Sequence, residues 1–488
     1  MILLLAFLLP LLSIPFIFLV GRESKRKPAA IIVIFSILDL ILLLGIVPEV
    51  LSKGKYMESY YWMPMLGAPL TLFADGVSVS LAVVTLLLII SSIIFASDYM
   101  EDSKSLWQFY VLIALLTVGL VGVFITANLM IFYFCWEFML IPTYFIIGGW
   151  GYRESYRAAF KFFIFTHAGA VAVLLGIGAI YMLTGTLDMF QAKDLLTAAP
   201  QDFLKWIFAA LTLGFAVKMA IVPLHMWLPD AHAEAPAPMS ALLSGVIIEA
   251  GAYAILRVSL GTIFPLISDV SANTQILYTL SILGVISAFY GAMTALAEND
   301  IKRIVAYSSI SHMGYALFGL SLYPCVEGIV GTVLHLINHA ASKGLLFLNA
   351  GAIMKQTGAR DISEMGGLAS KMPLTAFSTT ISSFSIAGIP SLACFISEFL
   401  MFMGGFQAGG SDSFYYVTTT FMIIATVFSL AYALRLIWKV FLESSKIEKA
   451  QDPSLTMSIP MIFLSLIVIL LGVWSGPIIH LISSANLS

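Results

Sequence analysis

The chain is 488 residues long, 60% hydrophobic and only 10% charged, with a formal net charge of −3. Typical soluble domains carry about a quarter of their residues as charged side chains, so a soluble enzyme or a nucleic-acid-binding protein is excluded and a polytopic membrane protein is expected. The three cysteines, Cys135, Cys325 and Cys394, lie far apart in apolar or membrane-edge stretches, as small hydrophobic residues do and as a disulfide framework or a metal site would not.

A membrane-crossing helix needs about 20 mostly apolar residues. On that criterion about fourteen spans are predicted, near 2–20, 29–51, 76–97, 107–126, 128–150, 158–184, 206–224, 238–259, 275–296, 304–322, 326–354, 373–405, 414–440 and 457–484. The first reads as a retained span rather than a cleaved signal peptide, because its positive charges follow the apolar run. Sixteen Lys and Arg residues, beginning with Arg22, Lys25, Arg26 and Lys27, fall in the loops after odd-numbered spans, against five on the other side. The excess of basic residues marks the cytoplasmic face, which predicts a plasma-membrane protein with both termini outside. In this count Lys302 is a loop charge, and Arg257 is read as a surface or interface group. No loop is long enough to bury a core of its own.

Two spans are interrupted: the seventh at Pro223 and the twelfth at Ala387-Gly388-Ile389-Pro390. Irregular backbone inside a membrane is tolerated only where protein or water covers it. Paired interruptions at matching positions point to an inverted-repeat transporter with its ion path at the breaks. The expected fold is therefore all-α, with two inverted five-helix repeats, spans 4–8 and 9–13, in which helices 7 and 12 are broken. The chain divides into N-terminal helices (1–105), a first repeat (106–260), a second repeat (261–445) and a C-terminal helix (446–488).

Ionisable side chains at bilayer depth are costly and mark ion paths. Glu137 lies in the middle of IFYFCWEFMLIP, where it serves a cation or forms a structural ion pair. Lys218 precedes the Pro223 break. Burial disfavours its charged form and a nearby carboxylate favours it, so it can gain and lose a proton as an arginine cannot; snorkelling to the interface is the competing explanation. Glu249 in GVIIEAGAY and Glu398, eight residues beyond the second break, are further proton-path candidates. His335, His339 and Lys343 recur every four residues and share one helical face. They suit a proton wire, although helix packing and a zinc site with no apparent third ligand are alternatives. His167, His225 and His312 are secondary members of the path or satisfied structural histidines. No nucleotide-binding glycine pattern and no Cys or His cluster for haem or iron–sulfur is present, so no cofactor or metal is expected in this chain.

The segments FCWEFMLIPTYF (134–145), KMAIVPLHMWLPDAHAEAPAP (218–238), ENDIKRIVAYSSISHMGY (298–315), HLINHAASKGLLFL (335–348) and IPSLACFISEF (389–399) resemble the antiporter-like subunits of respiratory complex I, most of all those of the chain M type. The resemblance implies a proton-translocating subunit, with Glu137 and Lys218 as a gating pair, His335 and His339 on a central polar axis and Glu398 leading outward. It also implies other antiporter-like and small membrane subunits as partners, surrounding lipid, no nucleic acid, and a peripheral redox arm that holds the flavin, iron–sulfur clusters and a quinone-like acceptor. Where that family usually has a lysine in span 8, this chain has Glu249, and Lys343 is a candidate to supply the missing positive charge. Related F(420)H(2) dehydrogenase, Mrp-type antiporter and membrane-bound hydrogenase subunits share the motifs, so a sodium/proton antiporter or hydrogenase subunit is the alternative reading.

Overall fold

A computed structural model describes residues 1–21, 26–63 and 68–485; Arg22 and Lys25, which entered the charge count, lie outside the described residues. The fourteen apolar stretches all coincide with helix. In order, these are α1 (Ile2–Gly21), α2 (Lys27–Lys53), a hairpin of β1 (Lys55–Met63) and β2 (Ala68–Asp75), α3 (Gly76–Tyr99), α4 (Leu106–Ile125), α5 (Leu129–Trp150), α6 (Ser155–Thr184), α7 (Met189–Leu195), α8 (Gln201–Met219) and α9 (Leu228–Glu234). There follow α10 (Ala237–Leu242), α11 (Ile248–Ala254), α12 (Val270–Ala297), α13 (Ile301–Leu320), α14 (Val326–Thr357), α15 (Pro373–Ile386), α16 (Ala393–Gly409), α17 (Ser413–Ile437), α18 (Leu455–Val473) and α19 (Gly476–Ser483). Among the described residues ten helices are long and apolar enough to cross a membrane, counting α10 and α11 with their π turns as one rod, Ala237–Leu266. The other predicted spans fall on α8, α13, α14 and the broken α15–α16 pair.

Helix starts are set by side chains that accept the first free backbone N–H groups. Asp75, Asn128, Asp188, Asp269, Asp300 and Asp412 each do so, at the heads of α3, α5, α7, α12, α13 and α17. Asp75 has a second partner: Arg257, whose side chain is only 15% exposed, donates to it at 2.6 Å, which ties the rod to the hairpin. The sequence reading of Arg257 as a surface group is thereby corrected. A largely covered arginine at the end of an apolar rod is held by pairing with a carboxylate.

The two halves repeat in detail. Asn128 and Asp188 close a short antiparallel bridge between the head of α5 and the head of α7, and Asp300 and Asp361 close the same bridge between the head of α13 and the end of the loop after α14. Gly119, nine residues before Asn128, presses α4 against α5: a Cβ there would lie 2.7 Å from the Cys135 carbonyl and 2.9 Å from the Met139 nitrogen. Gly291, nine residues before Asp300, presses α12 against α13 in the same register, 2.7 Å from the Tyr307 carbonyl and 2.4 Å from the Ser311 nitrogen. His167 and His339 each lie 39 residues after their bridge residue. Four long helical segments, α6, α8, the α10–α11 rod and α12, lie between α5 and its equivalent α13, and an even number between them sets the two in opposite directions.

Both breaks have their backbone groups satisfied from outside the helix. At the first, Ala220 turns left-handed (φ 59°), Trp227 donates its indole N–H to the Val217 carbonyl at 3.0 Å, and the Val222 N–H reaches Ser287 at 3.0 Å. At the second, Gly388 (φ 69°) and Ser391 (φ 72°) make the turn, and Asn338 donates to the Ala393 carbonyl at 2.6 Å.

Gly291→Leu is expected to destabilise the α12–α13 pair by about 1–3 kcal/mol, the usual cost of overpacking. Gly45→Ala, with nothing within 4 Å of the added Cβ, should be silent. Thermal unfolding of the detergent-solubilised protein compares the two.

Candidate functional site

The polar centre of the molecule is set by how closely α14 lies against the α10–α11 rod. Gly245 puts its Cα where a Cβ would be 3.0 Å from the Ala340 carbonyl. The rod is π-helical on both sides of α11, at Leu243–Ile247 and Ile255–Ile263, a distortion found disproportionately at functional sites. Between these stretches Glu249 points at α14, and its carboxylate lies 2.9 Å from His339 Nδ1.

From there a line of polar groups continues. The rings of His339 and His312 are 5.5 Å apart. His312 Nδ1 is 3.3 Å from His335 Nε2, and its other nitrogen is 3.2 Å from the Tyr432 hydroxyl. His335 Nδ1 is 3.1 Å from the Ser397 hydroxyl, and a ligand atom of the adjacent Glu398 lies within 4.8 Å of those of His312 and His335. The Glu398 carboxylate sits directly under the second break, where a Cβ on Gly388 would be 2.5 Å from Oε2. One turn beyond His339, Lys343 donates to Ser308 and, at 3.3 Å, to the Val305 carbonyl. All of these side chains are buried, which makes each proton donor and acceptor in the row a matter of protein partners rather than bulk water.

The first half holds a separate group. Lys218 is buried, donates to the Trp136 carbonyl at 3.0 Å and lies 4.1 Å from the centroid of the Trp136 ring. Glu137, the next residue, faces His167 instead, at 3.8 Å. Among the described residues no ion pair within 4.0 Å joins Glu137 to Lys218, and no hydrogen bond links Lys218 to Glu249. Glu137 and His167 open on the outer wall of the chain, with side chains 17% and 46% exposed. His225 lies beside the first break, edge-on to Tyr290 at 4.7 Å, apart from both groups.

Of the seven principal sequence candidates, Glu249, His335, His339, Lys343 and Glu398 come together with His312, while Glu137 and Lys218 form a neighbouring group with His167. Sequence reasoning missed Tyr432, Ser397 and Ser308, whose hydroxyls look like any others in helices rich in Ser and Tyr. It missed Asp39 as well, a buried carboxyl in α2 with neither oxygen hydrogen-bonded among the described residues; its mid-span position was the available signal. Lys302, counted as a loop charge, is buried at the head of α13 and is corrected here: its cap, Asp300, turns the chain so that Arg303 takes the outer position.

Arg303 and Lys161 both reach Asp230 at 2.7 Å, joining α9 to α13 and α6. Burial would raise the Asp230 carboxyl, but the Lys161 ammonium and then the Arg303 guanidinium hold it below the usual carboxylate range.

A family model described as NADH:quinone oxidoreductase/Mrp antiporter, TM, matches residues 126–429. NADH-quinone oxidoreductase subunit M of Rickettsia conorii is 33% identical over 89% of this chain and 87% of its own length. F(420)H(2) dehydrogenase subunit M of Methanosarcina mazei is 31% identical over 88% and 85%. In a structure of respiratory complex I from Thermus thermophilus with bound NADH, one chain superposes with a TM-score of 0.86 at 26% identity, over all of this chain and 99% of that one.

A carboxylate whose folded-state affinity for protons is lowered stabilises the fold above its unfolded titration range and loses that contribution as pH falls. The protection of α9 amides, their hydrogen–deuterium exchange relative to the intrinsic rate at each pH, is therefore expected to fall as pH drops below about 4, whereas Asp230→Asn should be less protected throughout and show no such fall.

Proposed function

Because the chain belongs to the NADH:quinone oxidoreductase/Mrp antiporter transmembrane family, we propose that it is the proton-translocating membrane subunit of an electron-transfer-driven complex, with the redox chemistry and its cofactors in other subunits. The observation that carries this reading is the buried row from Glu249 through His339, His312 and His335 to Ser397 and Glu398, ending beneath a broken helix. Each neighbouring pair is close enough for a proton to pass directly or across one water, and the row consists of groups that both accept and release protons.

The five-helix units 106–260 and 261–445 divide the work. In the first, Glu137 and Lys218 respond to a charge or conformational signal arriving from a neighbouring subunit. Glu137 is suited to that task because it opens on the outer wall, and Lys218 because its ammonium rests on a carbonyl and a ring face, partners that tolerate loss of the proton. In the second unit the proton moves along the histidine row to Glu398 and leaves at the second break. The distribution of basic loops supports an orientation with the odd-numbered loops in the cytoplasm and both termini outside.

Glu249 and Lys343 flank His339, one by hydrogen bond and one by a single helical turn. This supports Lys343 as the positive partner on the axis where the family usually has a span-8 lysine. A cation/proton antiporter subunit driven by ion gradients would use the same residues without redox partners, and the subunits that co-purify with the chain decide between the two.

In proteoliposomes containing the assembled complex, Lys218→Ala and Glu137→Ala are each expected to slow proton pumping by roughly tenfold or more, the lower range for loss of a positioned proton-transfer group; unchanged pumping by an assembled variant would remove that residue from the scheme. The double change Glu249→Gln with Lys343→Met should cost no more than the worse single change if both serve one relay, whereas simple additivity would separate them.

A further inference from the structure

Lys302 is the second residue of α13 and is fully buried. Its ammonium donates to the Ala235 carbonyl, lies 3.5 Å from the Ala233 carbonyl and stands 5.0 Å from the centroid of the Tyr152 ring. Among the described residues no carboxylate lies within 4.0 Å of it. The nearby acids are engaged elsewhere: Arg360 pairs with Glu234 at 3.1 Å and also with Asp300. A lysine held by carbonyls and a ring face, with no counter-ion, can exist in either protonation state.

On one side of Lys302 is a cavity of about 630 Å³ open to the basic face and lined by Tyr99, Tyr152, Pro236, Lys355 and Arg360. The Tyr99 and Tyr152 hydroxyls hydrogen-bond to each other in its wall, so Lys302 stands one ring behind water. On its other side is His232. This histidine is fully buried, stacks on Phe347 at 4.6 Å and, among the described residues, has no hydrogen-bond partner at either ring nitrogen. Buried polar groups are nearly always satisfied, and an exception asks for an explanation. Lys302 reaches the carbonyl of Ala233, the residue after His232, and Phe347, on which His232 stacks, lies one turn beyond Lys343 on α14. His232 therefore bridges the interval between the cavity and the histidine row.

We propose that Lys302 and His232 form the uptake step of the relay, carrying protons from water in this cavity to Lys343 and His339. Neutral Lys302 takes a proton from cavity water and becomes an ammonium. That N–H bond breaks as one forms on a free nitrogen of His232, and the imidazolium then passes its proton to the Lys343 amine. Lys302 and His232 return to their starting states, with one proton moved inward and no oxidant or reductant involved. The step rests on the relay reading above.

The unpartnered ring gives a discriminating test. His232→Phe keeps the stack on Phe347 and sacrifices no hydrogen bond, so a packing role predicts an assembled complex that pumps normally, whereas the uptake role predicts assembly with pumping at least tenfold slower in proteoliposomes. Lys302→Arg retains the charge against the two carbonyls but does not release a proton, and should pump as poorly as Lys302→Met. Pumping within twofold of the unmodified complex in His232→Phe, or recovery in Lys302→Arg of what Lys302→Met loses, overturns the proposal. Failure of both His232→Phe and His232→Gln to assemble overturns it as well, since it assigns the ring to packing. Lys218→Ala in the same preparation separates the two levels: normal pumping there sinks the relay itself, while a block there with normal pumping in His232→Phe sinks only the uptake step.

Discussion

Two helices can share a hydrogen bond between their side chains in the middle of a membrane only if their backbones come close enough, and here the α10–α11 rod and α14 do so at Gly245 and Ala340. One turn from that meeting point Glu249 meets His339. A side chain at 245 would force α14 away and also strike Leu88 of α3, whose Cδ2 lies 2.4 Å from the position a Cβ would take. The row from Glu249 to Glu398 depends on this spacing, because every later member is carried by α14 or by a helix packed on it.

The second requirement is that the backbone at the breaks not be stranded. In hydrocarbon an unpaired backbone group costs several kcal/mol, so each break must bring its own partners. Trp227 and Ser287 supply them at the first break and Asn338 at the second. The turn beside Glu398 is made by a glycine because the carboxylate occupies the space a Cβ would need. The geometry that breaks α15 from α16 is thus also the geometry that brings an acid to the end of the histidine row.

Much of this was legible in the sequence. Hydropathy located the helices, proline and glycine located both breaks, and the four-residue spacing of His335, His339 and Lys343 gave their shared face. Mid-span charge identified Glu249 and Glu398. What was not legible depends on tertiary packing. Lys302 and Arg257 sit at the ends of apolar runs, where sequence predicts water; only the closing of α9 and α10 buries the first, and only the pairing with Asp75 at the end of the hairpin covers most of the second. Glu137 and Lys218, adjacent in expectation, turn toward His167 and Trp136, because side-chain direction on neighbouring helices is fixed by packing and not by span number. The correspondence between the two halves was visible only as topology until Asn128 with Asp188, and Asp300 with Asp361, gave it a register.

That register also sets the two halves against one another residue by residue. The glycine contacts stand nine residues before the bridge head in both halves, and the bridge partner follows the head at nearly the same interval in each. The residue nine places after each bridge head is Glu137 in one half and Ser309 in the other, and Ser309 binds Ser244 at 2.7 Å. One half carries a part-exposed titratable acid at this position and the other a buried neutral hydroxyl. The two halves therefore share a frame and differ in the chemistry mounted on it.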